Sequence, residues 1–547
     1  MYFAYPKFVH LSRSTLKKNA FLKRNESRTR GDFGLLKETS KCLHPGAELS
    51  SGTDGFRISR LTISSAHADA IMIFLGLCYF AVTFYSLYLR YIYFEMKEPT
   101  DSAAYMQVAW SIFHWPPYTM SVQENLISYF PFNFLGDQLM WTLALFAPLC
   151  LLPFPGIMFL FAQALIICAG AFLLYRFSAE KLDNRLLALL LATCFLFNPA
   201  TLLSFWDFGF RAETLFIPLT FLIFYLLHRD RPFWACMVLT LFLLTKHNSI
   251  LVAIPLGFYF IFWDTKYRRF GVFCILASMV YYVVGLKVVM ANLQENPVAS
   301  FKHFAKFGDT PWQAILNIFT HPGDIWQGVS PFTVDYIKRI FLPAGLLAIF
   351  SPVFWMASSE LLINAVLPAY HSVYCGWHWT LVIPFAFLGM TYTMCWVLKT
   401  KWQGYLKCLF VVLLLVQIGL NVRSFTKRVT EDINHFFYKT THVDTSEIMD
   451  KLALIEPEAS VMTSGRLLWY FFDRKNVYNS RVKFHDEVDY IAILLPLLNL
   501  GENEIDKYIL REFSSQLLTG DSSFNGFDLV VKDTNLWIFR NKRIRSE

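Results

Sequence analysis

Apolar runs separated by short charged connections fill the chain from Asp69 to about Val422. The first, Asp69–Phe94, is long enough to cross a hydrocarbon layer of about 30 Å. Further runs lie near residues 156–177, 186–204, 212–228, 232–246, 247–263, 270–290, 339–356, 360–373, 379–398 and 405–422. Two polar, aromatic loops interrupt them, one from Glu95 to about Phe134 and one over 291–338. Leu135–Leu152 is apolar but short and ends in Pro153 and Pro155.

Basic connections should collect on the inner side of a membrane. They are Arg176/Lys181/Arg185, His228–Arg231, Lys266/Arg268/Arg269 and Lys399/Lys401/Lys407. All fall on one side only if Leu135–Leu152 lies at the interface without crossing. The pattern therefore predicts about 11 transmembrane helices, a cytoplasmic N-terminus and a C-terminal part on the other side, in the cell (inner) membrane.

Residues 424–547 have soluble composition and predict a small extracytoplasmic α/β domain. Glu447–Leu454 and Gly465–Asp473 read as helices. Ser460–Ser464, Val477–Ser480 and Tyr490–Leu495 read as strands. Phe527–Val531 and Leu536–Arg540 flank Lys532-Asp533-Thr534-Asn535 as a hairpin. Residues 1–68 show neither long periodicity nor a secretory-signal pattern, and read as a mobile cytoplasmic tail.

Composition supports this division. Of 547 residues, 55% are hydrophobic, 18% aromatic and 16% charged, against about 25% charged in soluble domains. A row of soluble domains, a disordered chain, a coiled coil and a disulfide scaffold are thereby excluded. The net charge of +8 is local: residues 1–68 hold 12 Lys and Arg against 5 Asp and Glu, the rest 37 against 36. Such a segment suits anionic membrane lipid, and no nucleic-acid partner is expected. Eight of the ten cysteines lie in apolar runs and no CxxC occurs, so they read as small buried apolar residues.

Ionisable groups near membrane depth are costly and usually functional. Four clusters stand out, all on the predicted outer face. Glu98-Pro-Thr-Asp101 precedes Tyr105, Gln107 and Trp110. Asp101 suits a general base, and equally a helix cap. Asp207-Phe-Gly-Phe-Arg211-Ala-Glu213 suits either a bidentate phosphate contact or an internal ion pair that seals a loop. Lys246-His247-Asn248 offers a phosphate partner or an interfacial anchor. Tyr370-His371 with Trp377-His378-Trp379 offers a sugar or phosphate contact or an aromatic belt. No pair has zinc-ligand spacing, so no structural metal site is expected.

The order of these elements resembles the predicted bacterial membrane proteins of domain-of-unknown-function family 2079 (DUF2079), over about residues 95–547. Asp101-Ser-Ala-Ala-Tyr-Met-Gln-Val-Ala-Trp110 and Asn133-Phe-Leu-Gly-Asp-Gln138, with Ala147-Pro148 and Phe154-Pro155, are similar to its first motifs. Asp207-Phe208 with Glu213, Lys246, Lys306-Phe-Gly-Asp-Thr310, Pro343, Ser351-Pro352, Trp377-His378-Trp379, Ile383-Pro384-Phe385 and Ile455-Glu-Pro-Glu-Ala-Ser-Val461 are similar to later ones. The chain departs from the family at Gln138 and His247, and in the spacing from Asp207 to Glu213.

The resemblance implies the GT-C superfamily of polytopic glycosyltransferases. It implies sugar transfer from a polyprenyl-phosphate donor to an extracytoplasmic glycan, lipid or protein of the cell envelope. Asp101 would be the catalytic base. Tyr105, Gln107, Gln138, Asp207, Arg211, Glu213, Lys246 and His378 would bind substrate. Some members of the superfamily use a divalent metal and others do not, and the scattered carboxylates leave that open. The alternatives are a transporter or flippase of a lipid-linked substrate, and a catalytically silent scaffold, which the departures motivate.

Overall fold

A computed structural model describes residues 63–96, 99–114, 116–122, 132–206, 208–293, scattered positions between 313 and 340, 346–366, 376–440, 444–480, 487–495 and 526–543. The proposed N-terminal tail, as far as residue 62, lies outside them. The fold is mainly helical, with a small C-terminal sheet.

Helix α1 (Ser65–Ile92) starts where the Ser64 side chain accepts from the His67 N–H. It buries Met72, Tyr79, Thr83, Ser86, Leu87 and Arg90 at helical spacing and turns Ile73, Phe74 and Leu77 outward. Helix α2 (Pro99–Ser111) follows, then a two-residue antiparallel ribbon, β1 (Thr119–Met120) with β2 (Phe132–Asn133). Trp141–Leu151 is an 11-residue 3₁₀ segment packed on α2. At about 2 Å per residue it extends about 22 Å.

Helix α3 (Pro155–Leu182) runs antiparallel to α1: Tyr91 meets its start at Gly156, and Asp69 meets its end at Tyr175. The next helices are α4 (Arg185–Leu196), α5 (Pro199–Leu203), α6 (Phe216–His228), α7 (Pro232–Thr245), α8 (Ile250–Phe262) and α9 (Thr265–Leu293). The predicted run 186–204 is broken because Asn198 caps α5 and Pro199 opens it. Gly257 and Gly271 let α8 and α9 cross so closely that a Cβ on either would fall 2.6–2.8 Å from the other's carbonyl oxygen. That small-residue contact suits helices in lipid.

Helices α10 (Ser358–Val366), α11 (Ile383–Val397) and α12 (Gln403–Thr440) complete the bundle. Among the described residues, four helices are long and apolar enough to cross a membrane: α1, α3, α9 and α12. Six shorter apolar helical segments accompany them.

One expectation needs correction. The segment 291–338 is not simply a loop: Gln313, Leu316, Asn317, Thr320, Thr333, Val334, Ile337 and Lys338 are helical. The boundary expected at 424 falls inside a single helix. Helix α12 has 38 residues, about 57 Å at 1.5 Å per residue, and so runs well past an apolar layer. Its polar half is held against α1. Asp432 accepts from Arg90 at 2.6 Å, Ser86 at 3.0 Å and Trp206 at 2.9 Å, and Glu95 pairs with His435 and Lys439.

After α13 (Thr445–Leu452) come β3 (Val461–Thr463), β4 (Val477–Asn479), β5 (Tyr490–Leu494), β6 (Phe527–Lys532) and β7 (Leu536–Asn541). The sheet order is β4-β3-β5-β7-β6. β3 is parallel to β4 and β5, and β7 is antiparallel to β5 and β6. The first crossover carries helix α14 (Leu468–Phe471).

This crossover docks on the helical bundle. Tyr470 stacks on Tyr91 at 4.7 Å and donates to its carbonyl at 2.7 Å. Phe472 meets Phe159 edge-on. Gln107 donates to the Arg474 carbonyl at 2.8 Å, and Asn479 to Thr100 at 3.1 Å. The C-terminal sheet is therefore fastened beside Asp101.

Candidate functional site

The start of α2 and the turn between α5 and α6 build one charged cluster. Ser102 donates to the Phe208 carbonyl and pins the turn to α2. Gly209 adopts φ +70°, and a Cβ there would meet the Trp469 ring at 2.3 Å. Only glycine satisfies both demands. On the other side, Gln163 of α3 accepts from the Arg211 N–H at 2.8 Å and donates to Thr214 at 2.9 Å. Thr214 returns a bond to the Arg211 carbonyl at 2.7 Å. The turn is locked from both faces.

Arg211 is wholly buried and donates to Asp101 at 2.8 Å, while Asp101 keeps 29% of its side-chain surface exposed. The guanidinium also lies 5.6 Å from the Tyr105 ring and 5.9 Å from Phe208. Such contacts stabilise a desolvated cation. Lys246 donates to Glu213 at 2.8 Å, with exposures of 13% and 3%. Tyr105 donates to the same Glu213 oxygen at 2.9 Å and lies 3.3 Å from Gln138 Oε1. Burial, with Glu213 beside it, holds the Tyr105 phenol well above its ordinary value, so it is a neutral donor.

Charges thus alternate around the cluster: Asp101, Arg211, Glu213, Lys246. A carboxylate that sequence reasoning left off the candidate residues joins them. Asp137 follows the turn Phe134–Gly136 and feels both Lys246 and Asp101. Burial raises its pKa and the Asp101 charge adds to that, with Lys246 opposing. The signal was its place inside the Asn133–Gln138 motif.

A second polar layer lies behind Lys246. Asn248 donates to the buried Glu360 at 3.3 Å, and Asn364, one turn along α10, donates to the His378 carbonyl at 3.1 Å. His378 is therefore joined to the cluster through these residues.

The structure brings together Asp101, Tyr105, Gln138, Arg211, Glu213 and Lys246, and reaches His378 indirectly. Of the two readings of the Asp207–Glu213 loop, the geometry fits the internal ion pair: Arg211 and Glu213 are buried in ion pairs and hold other groups in place. Gln107 does not face the cluster. Its amide accepts from Ser121 and Val122 and donates to the Arg474 carbonyl, because that segment needs its backbone groups satisfied where the C-terminal domain docks. Asp207, Glu98, Tyr370 and His371 lie outside the described residues. Among the described residues, no group of three His, Cys, Asp or Glu is arranged to hold a metal.

Comparison with curated proteins finds no match. The family described as "Predicted membrane protein (DUF2079)" matches residues 100–513, from the start of α2 through most of the C-terminal domain. By that match over most of its length, the chain belongs to the DUF2079 family of predicted membrane proteins.

Proposed function

We propose that this membrane protein is a glycosyltransferase of GT-C type, with its site on the extracytoplasmic side of the cell (inner) membrane. The finer reading is 11 spans, a cytoplasmic N-terminus and an outer C-terminal domain. A polyprenyl-phosphate sugar enters sideways from the lipid. The acceptor hydroxyl gives its proton to Asp101 as its oxygen bonds to the anomeric carbon. The bond from that carbon to the lipid-phosphate oxygen breaks, its electron pair leaves with the phosphate, and the anomeric centre inverts.

The observation that carries this reading is the half-open Asp101 carboxylate held by a fully buried guanidinium, with a second cation, Lys246, in the same cluster. Arg211 is then a positioning residue that holds Asp101 aimed. Lys246 and His378 stabilise the departing phosphate, an electrostatic role that a pre-oriented cation performs well in a dry site. The docked C-terminal domain supports the acceptor side.

Membranes carrying the protein, supplied with labelled polyprenyl-phosphate sugars, should form a labelled product, and Lys246→Ala should reduce it. Donor flux into sealed vesicles with no covalent product would make the protein a transporter. Donor binding with neither flux nor product would make it a silent scaffold.

A further inference from the structure

At the other end of the bundle a cavity of about 330 Å³ opens between the start of α1 and the turn joining α3 to α4. Asp69, Tyr175, Arg176, Glu180, Asp183 and Arg185 line it. Its size is at the lower end of small-ligand sites.

The charges are arranged unevenly. Tyr175 donates to Asp69 at 2.5 Å. The two guanidiniums reach Asp69 only at 3.6 and 4.0 Å, longer than the 2.7–2.9 Å of a charge-assisted hydrogen bond. Both are about one-third to two-fifths exposed, at 35% and 42%. Glu180, also in the lining, is engaged by Arg229. Asp183, exposed in a left-handed turn with φ +48°, adds a carboxylate at the rim. The lining therefore holds two guanidiniums and three carboxylates: the guanidiniums share Asp69 loosely, Glu180 is engaged by Arg229, and Asp183 stands at the rim.

Its depth is equally specific. On α1, exposed apolar side chains begin at Ile71, Ile73 and Phe74, directly after Asp69. On α3, exposed Phe172 lies one turn before Arg176. The cavity thus sits at the boundary between apolar and polar surface, where phospholipid headgroups lie.

We infer that this cavity holds the headgroup of a zwitterionic, amine-bearing phospholipid of the phosphoethanolamine class. Arg176 and Arg185 take the phosphate and Asp183 takes the ammonium. The acyl chains run along the exposed faces of α1 and α3. This site is independent of the sugar-transfer reading.

The test uses the full-length protein in nanodiscs of equal parts phosphatidylethanolamine, phosphatidylglycerol and phosphatidylcholine, released into a native mass spectrometer. The expected result is one retained phosphatidylethanolamine, in preference to the other two. Arg176→Gln with Arg185→Gln should cut its retention by about tenfold, since losing a charged hydrogen bond weakens binding by at least that factor. Arg176→Lys with Arg185→Lys should keep most of it, which separates binding from folding. Asp183→Asn should shift the preference toward phosphatidylglycerol. Equal retention by the Gln pair, or no preference in the wild type, overturns the assignment. Displacement by soluble phosphoethanolamine at millimolar concentration overturns the lipid as its source.

Discussion

Glu213→Gln tests the energetics of the cluster. Glu213 and Lys246 are 3% and 13% exposed and meet at 2.8 Å. The amide keeps the shape of the side chain and an oxygen for the Tyr105 hydroxyl, so the lost element is the charge. Two buried cations, Lys246 and Arg211, then lose the carboxylate whose charge acts on both. Removing one member of a buried pair destabilises by about 3–5 kcal/mol, because the other charge stays buried. The lower figure corresponds to roughly a hundredfold change in the folding equilibrium. Replacing both members by neutral groups is often close to neutral. Thermal unfolding in detergent should therefore rank wild type and Glu213→Gln/Lys246→Met well above Glu213→Gln alone. The assay is tryptophan fluorescence with heating, combined into a double-mutant cycle. If the double variant is as unstable as the single one, or the single variant melts with wild type, the pair is not the buried, coupled element described here.

Three further outcomes follow from other contacts. Gly209→Ala should loosen the C-terminal domain, since φ +70° costs an alanine about 1–2 kcal/mol and its Cβ strikes Trp469; limited proteolysis should release the domain sooner than in wild type. For Glu95, burial opposes the charge, but hydrogen bonds and charges from Lys439 and His435 overcome it and hold the pKa below its ordinary value. The unfolded state then binds the proton more readily, so this stabilisation is present above about pH 4.5 and fades as pH falls through the folded value; Glu95→Gln should remove that part of the acid-unfolding profile. Asp137 has the opposite sign: its pKa is raised by burial first and by Asp101 next. Asp137→Asn should raise the melting temperature at pH 7, and a lower one would show that its charge is needed by Lys246.

Much of the C-terminal domain was legible because short alternating runs bounded by turns leave few choices. Strands at Val461–Thr463, Tyr490–Leu494 and the final hairpin match the expected segments closely. Helix α12 was less legible beyond the membrane. Its buried positions Phe425, Val429 and Phe436 keep a helical spacing, but the charged residues between them look like soluble loop to a hydropathy reading. Asp432, His435 and Lys439 are meaningful only once α1 is alongside.

The candidate site divides the same way. Residue types and order pointed to Asp101, Arg211, Glu213 and Lys246. No local pattern could join Asp101 to Arg211, 110 residues apart, or show that Arg211 is buried and Gln107 turned toward the C-terminal domain. Those are consequences of tertiary packing. Asp137 lay inside the Asn133–Gln138 motif, but its link to Lys246 and Asp101 depends on neighbours that only the fold supplies.

The most direct test of the proposed chemistry is the rate of sugar transfer in membranes containing equal amounts of wild type or Asp101→Asn. Removal of a general base lowers a rate by about 10²–10⁴-fold. The account predicts a loss of that order with donor binding preserved. An Asp101→Asn protein that retains most of the wild-type rate would contradict it.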